Sequence, residues 1–575
     1  MEFKRRRFAG GAAWVVVVTM ATVQAASGCS SSSGGSNGPG PEAGAQDSST
    51  ADSPGQDSPV EDAPSEAAPP QDARASDAAG PGDASPDAGD GAPPLAAGAL
   101  LVAGASLTPY LVTSTGYVAY TNDATGIASA VALTGGAPQQ IAAGTAGHVA
   151  IVPLFSNPFP NAPVNAASVA VLTDTLVADG GVPNLPFTTW SLASGAQTWW
   201  GPGVLSELAG SADGSRVAWL MLDGAGTTGS LYVSSSTFQQ ADTVATGLSA
   251  ASDPPVAFGG VNGTDLIVGL PSGVLEAYDT STGTAKPISS NLSAPVQLGT
   301  FQVDPTGMHV AFLDATGSLR VATAPGYSPV LVSSAANLQP FPVFSPDGAT
   351  LYFYDSSGTI YRSPVPVPGA VTVATGATQG IDAVSPDGNW LLASTAYASN
   401  PFGEFDVQLV SSQATAGTLT PVDSQPRAFE QSFTTDATHV LEYASPSTVS
   451  GEPTGIPYAP QTTLFSYDIA TKVTSSAIST SVVAAGNSAT GSLVVFYDNP
   501  RPGGTSSTLL CDLRFVDVSA ASPMSSLIQT DVVCGALLNR GHPASIPRTS
   551  SDGKTVVYGY QGTAYQPGIY AYTLP

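Results

Sequence analysis

One short turn, repeated in phase, constrains this chain more than anything else in it. Ser345-Pro346-Asp347-Gly348 separates two runs of strand-forming residues, and Ser385-Pro386-Asp387-Gly388 repeats the arrangement. Related turns stand at Ser211-Ala212-Asp213-Gly214 and Asp304-Pro305-Thr306-Gly307, with a shorter copy at Ser551-Asp552-Gly553 and a degenerate one at Thr435-Asp436-Ala437. The chemistry of such a turn is local: Pro fixes φ, Asp bonds its own backbone, and Gly accepts a positive φ. Each turn leads into an alternating or wholly apolar strand, at 217–220, 310–313, 351–354, 391–393, 440–443 and 556–560. The turn aspartates are accordingly read as turn formers, not as exposed catalytic carboxylates.

A third strand follows in most copies. Ten such segments can be laid on one another: 130–133, 188–192, 231–233, 275–278, 319–321, 360–362, 407–410, 464–467, 513–516 and 569–572. Short strands recurring at this spacing, four to a unit, predict an all-β fold: a β-propeller of four-stranded antiparallel blades over residues 98–575. Ten units are counted; seven to ten blades, eight with long hairpins, or two abutting rings are the arrangements open to the sequence. Few charged residues and abundant Gly, Ala, Ser, Thr and Pro suit short strands and tight turns better than long helices.

The turn-and-strand signature resembles the TolB-type propeller repeat, a relative of the WD repeat, although the WD dipeptide is absent. That resemblance covers about residues 98–575 and is carried by the Ser-Pro-Asp-Gly copies. It implies kinship with bacterial periplasmic binding scaffolds and with the non-catalytic propellers of prolyl-oligopeptidase-like enzymes.

Ring closure is also legible. Leu101-Val102-Ala103-Gly104 followed by Leu107-Thr108-Pro109-Tyr110 parallels Leu331-Val332-Ser333-Ser334 followed by Leu338-Gln339-Pro340-Phe341, a fourth strand leading into the next blade. The first strand of the body is therefore expected to complete the last blade, removing two open edges at once. Cys511 and Cys534 fall near the start of a third strand and the end of its antiparallel fourth, so a disulfide is expected in an exported protein.

The first hundred residues read as an address and a tether. Lys4-Arg5-Arg6-Arg7, an apolar run at 12–18 and the small residues Ala25-Ala26-Ser27-Gly28 before Cys29 form the three parts of an export signal, residues 1–28. Ala26-Ser27-Gly28-Cys29 resembles a bacterial lipobox, with Ala26 where Leu is commonest. The resemblance implies diacylation of Cys29 and anchoring to a bacterial membrane, outer membrane or cell surface, with a periplasm-facing position also open. Arg5-Arg6-Arg7-Phe8 also resembles a twin-arginine motif. Residues 29–97 are a Ser, Pro, Ala and Asp-rich stretch too poor in apolar side chains to fold, and read as a disordered tether.

Composition and motifs bound the chemistry. The net charge is −27, and the body holds too few bases to neutralise many phosphates, so no nucleic-acid partner is expected. His309 and His439 occupy a strand-start phase filled elsewhere by Arg216, Thr350, Trp390 and Thr555, with His148 placed similarly and His542 in a loop. A phase that accepts His, Arg, Thr and Trp is read as a strand-entry surface position, and structural roles are expected for the histidines. The rival is a propeller-fold polysaccharide lyase or hydrolase that gathers histidines on a central metal. No Gly-x-Ser-x-Gly elbow, Asp-rich calcium loop or phosphate-binding Gly loop is present. Trp199-Trp200 could stack on a sugar, but indoles more often pack between blades. The expectation is a monomeric, non-catalytic binding or scaffold protein of the cell envelope, without cofactor or metal. Its membrane contact is the lipid anchor, and its ligand is an envelope protein or glycan held by loops at 156–165, 396–404 and 445–460. A purely structural envelope protein is the third reading.

Overall fold

The computed structural model describes residues 97–575 apart from 114–115, 145–148, 154–167, 174–186, 192–196, 201–203, 212–215, 223–227, 235–240, 250–255, 271, 290–295, 297–300, 335–337, 339–341, 378–379, 399–403, 423–427, 448–460, 503–507 and 537–546. The export segment, the tether and Cys29 lie outside the described residues.

The described residues form forty strands and no helix, arranged as ten four-stranded antiparallel units. The blades span 107–143, 149–200, 204–249, 256–287, 302–333, 343–374, 380–421, 428–474, 479–536 and 548–573, numbered one to ten in that order. All ten expected third strands are present, from Ile127–Ala132 in blade one to Gly568–Thr573 in blade ten. Within a blade, pairing follows chain order, as in blade one, where Leu107–Val112 pairs with Tyr117–Asn122, then Ile127–Ala132, then Gln139–Ala143. First strands lie against one another at six of the ten junctions, Val204–Gly210 against Val256–Gly259 among them, as expected of the innermost strands. The architecture is a β-propeller.

Blade ten is built from both ends of the body. Ala99–Ala103 pairs antiparallel with Gly568–Thr573, bringing Ala99 opposite Ala571, and so supplies the fourth strand. Leu101, Leu107 and Val118 then share one core with Val557 and Ile569, packing blade ten on blade one. Other shared cores run from blade one to two and onward from three to ten. The packing is one continuous succession of ten blades, not two separate groups.

That stacking explains why second strands are apolar throughout. A blade is covered on both faces by its neighbours, so the middle of its sheet has no solvent side. Val310, Ala311, Phe312 and Leu313 are all sealed from water. Third strands lie nearer the rim and keep some alternation, as where half-buried Arg320 falls between buried Leu319 and Val321.

The recurrent turn is held by its own side chains. The Ser345 hydroxyl donates to Asp347 Oδ1 (2.6 Å) and accepts from the Thr350 amide (2.9 Å), while the Gly348 amide donates to the Ser345 carbonyl (2.9 Å). Gly348 has φ 71°, and a Cβ there would lie 2.2 Å from a carboxylate oxygen of Asp304 in the preceding blade. Glycine is required both by the turn and by the contact between blades. The two irregular copies obey the same scheme one residue earlier than their sequence suggests. Thr434 and Ser550 are the locking residues, accepting from the amides of His439 (3.0 Å) and Thr555 (3.0 Å). Ala437, in the glycine place, has φ 57°.

Blades seven to ten are further joined edge to edge into one sheet of sixteen strands. Their hairpins outgrow the blade and pair with the next one, Phe405 opposite Ala428 and Val532 opposite Tyr560.

Candidate functional site

The turn carboxylates are committed to the frame. The Ser345 hydroxyl and the Ala349 amide hold Asp347 below the usual carboxylate range, and the Ser550 hydroxyl and Lys554 amide do the same for Asp552. Asp279, in a turn between third and fourth strands, is brought down to about 2 by the hydroxyl of Ser281 and neighbouring amides. Carboxylates so stabilised as anions are poor general acids.

Of the four histidines, His309 and His439 fall among the described residues and start the second strands of blades five and eight. His309 Nδ1 lies 3.0 Å from the Thr323 hydroxyl, and burial pushes its imidazole below the ordinary value. His439 Nδ1 lies 2.8 Å from the Thr438 hydroxyl, and its Nε2 is 4.0 Å from Asp468. Each is tied to its own blade, and neither stands on an innermost strand. Among the described residues, no group of three His, Cys, Asp or Glu side chains is placed to hold a metal. His148, His542, most of the long loops and the side chains of Trp199 and Trp200 lie outside the described residues.

Cys511 and Cys534 form the expected disulfide, joining the third strand Thr508–Asp517 to the fourth strand Ser526–Ala536 of blade nine with Cα atoms 5.8 Å apart. Around it is an ion-pair network that sequence reading missed. Arg501 contacts Asp512 (2.8 Å) and Asp531 (2.7 Å), and Arg514 contacts Asp498 (3.0 Å). The Ser479 hydroxyl donates to Asp498 as well (3.0 Å). Every charge in this group has an opposite partner, so it ties strands together and leaves little for a ligand.

A cleft of about 220 Å³ between blades seven and eight is different. Its lining mixes buried Leu409, Val410 and Ile469 with half-buried Trp390, exposed Lys472 and the hydroxyl-bearing Ser411, Thr418 and Thr420. Tyr467 is 2% exposed, yet its buried hydroxyl has no hydrogen-bond partner among the described residues. Burial pushes that phenol up, and Asp468 reinforces the effect, so it remains a donor at neutral pH. A partly apolar lining with one orphaned donor and one cation suits a group that carries acceptor oxygens on an apolar body. Trp390 was expected at a surface position at the start of its strand; it is instead half-buried against the core shared with blade eight. No local signal could reveal the cleft, because it draws on residues far apart in the chain.

No protein-family model matches the chain, and no curated protein matches it. Solved structures do resemble it. A eukaryotic initiation factor structure is 12% identical over 77% of this chain and 92% of its own, with TM-score 0.40. TolB from Acinetobacter baumannii is 12% identical over 64% and 81%, with TM-score 0.24. An oligogalacturonate lyase in complex with manganese is 14% identical over 61% and 95%, with TM-score 0.31.

Proposed function

We propose that this chain is an exported, lipid-anchored β-propeller that serves as a non-catalytic binding or scaffold protein at the bacterial cell envelope. One observation carries the reading: the polar side chains that recur in phase are spent on locking turns, whereas the cleft holds an orphaned donor, Tyr467, beside Trp390 and Lys472. Recurring polarity belongs to the frame; unmatched polarity marks where a ligand would sit. The lipobox-like Ala26-Ser27-Gly28-Cys29 supports an acylated Cys29, with residues 30–97 as the spacer that lifts the propeller from the membrane.

Affinity capture with the full chain against envelope extracts, beside a glycan array, tests the binding reading. A reproducible protein or glycan ligand whose retention falls at least tenfold in Tyr467→Phe supports it; no retained ligand on either arm rejects it. Cys29→Ser is expected to move the protein from the membrane to the soluble fraction. Continued membrane retention of that variant would overturn the anchor.

A further inference from the structure

Arg548 breaks the pattern of the innermost strands. It lies on the first strand of blade ten, Arg548–Thr549, opposite Val557 and two residues before the locking Ser550. The same phase, two residues before the locking side chain, holds Ala209, Gln302, Val343, Ala383 and Ser432 in other blades. None of these is charged. The strand runs beside Leu107–Val112 of blade one, at the inner edge of the blade ten–blade one junction.

The side chain of each other arginine of the described frame has a partner through at least one nitrogen, although the Nε of Arg362 is itself sealed without an acceptor. Arg216 donates to the Thr280 carbonyl (2.7 Å), Arg320 pairs with Asp314 (2.8 Å), Arg362 donates to Gln413, and Arg501 and Arg514 have their aspartates. Among the described residues Arg548 has none: its Nε is sealed from solvent without an acceptor, while the residue as a whole stays partly open. Burial pulls its guanidinium below the ordinary value, and the groups that act back on it are the phenols of Tyr497 and Tyr110, not carboxylates. A guanidinium with one nitrogen sealed from water and no counter-charge beside it is costly, and is kept where something supplies the charge. Its planar fork matches carboxylate and phosphate oxygens.

We propose that Arg548 anchors an oxyanion-binding site on the inner wall of the propeller, with Tyr110 and Tyr497 beside it, for a carboxylate or phosphate group of a ligand. The acidic body offers such a ligand no long-range attraction, so affinity comes from the short-range, desolvated contact. The site names a ligand chemistry for the binding reading and rests on that reading only for its biological use. If capture yields no partner but anions still bind through Arg548, the reading fails and the site stands.

The test is thermal unfolding of the full chain in sodium phosphate or sodium acetate, against sodium chloride of equal ionic strength. A saturating oxyanion is expected to raise Tm by about 2 °C. A rise with phosphate alone assigns a phosphoryl group; a rise with acetate assigns a carboxylate. Arg548→Met should abolish the rise and, in chloride alone, unfold at a higher temperature than the parent, because an unmatched buried charge is gone. Should Arg548→Met not fold, Arg548→Lys, which keeps the charge and loses the fork, is expected to weaken phosphate or acetate binding at least tenfold by calorimetry. No rise with either anion, or an equal rise or undiminished binding in the variants, would overturn the site.

Discussion

Blades five and six differ from blade nine in how they are held. The first two are short: their second strands, His309–Leu313 and Thr350–Tyr354, have five residues, and their stability rests on apolar packing plus a turn locked by its own side chains. Blade nine has strands of ten to twelve residues, Ser479–Thr490, Leu493–Pro502, Thr508–Asp517 and Ser526–Ala536. Its outer strand pairs with blade ten, Val532 opposite Tyr560, and Cys511 and Cys534 are sealed from solvent in the core that the two blades share. To that burial the chain adds a disulfide and the Arg501–Asp512–Asp531 network. The short blades rest on apolar cover and the turn lock; the longer strands of blade nine have apolar cover and are also cross-linked to one another.

The comparison can be broken hardest in the compact blades. Phe353 is fully buried in the core shared by blades five and six, with its ring stacked on Tyr361 at 5.2 Å. Phe353→Ala is expected to cost about 3–5 kcal/mol in denaturant unfolding, by lost transfer and the cavity left behind. A cost under about 1 kcal/mol would show that this core repacks freely. In blade nine, replacing Cys511 and Cys534 by Ala should cost about 3 kcal/mol, mostly by freeing the unfolded chain between them. Hydrogen exchange should then rise in blade nine and stay unchanged in blades five and six; a uniform rise would contradict the separate support drawn above.

The smallest effect concerns the turn lock. Ser345→Ala removes the acceptor for the Thr350 amide and the donor to Asp347, at a cost of about 1 kcal/mol. This difference has a pH signature. Asp347 is held below its unfolded value, so its contribution is complete above the unfolded value of about 3.9 and is lost as pH falls through the native one. The gap between parent and variant should therefore narrow below about pH 4; a gap that widens on acidification would contradict the lock.

How much of this was legible beforehand follows from the range of each interaction. The turn lock spans five residues, so its pattern is printed in the chain, and strand positions follow from it. Even so, reading the copies as Ser551-Asp552-Gly553 and Thr435-Asp436-Ala437 missed Ser550 and Thr434, whose role appears only when the receiving amide is seen. Cys511 and Cys534 could be paired because adjacent antiparallel strands bring predictable ends together. Trp390 was misjudged because a residue starting a strand can face solvent or a neighbouring blade, and the sequence carries no sign of which.

The sequence by itself determined the blade as a unit and closure by the first strand, since these depend on local turns and on apolar runs that need cover on both sides; that the ten counted units are ten blades in one succession was decided by the structure. Only the tertiary structure decided which polar groups go unmatched. Tyr467 at the cleft and Arg548 on the inner wall look ordinary in the chain, and their isolation is a property of what packing places around them. Local hydrogen bonds close within a few residues; desolvation is imposed by neighbours from other blades, and that is where the individuality of this propeller lies.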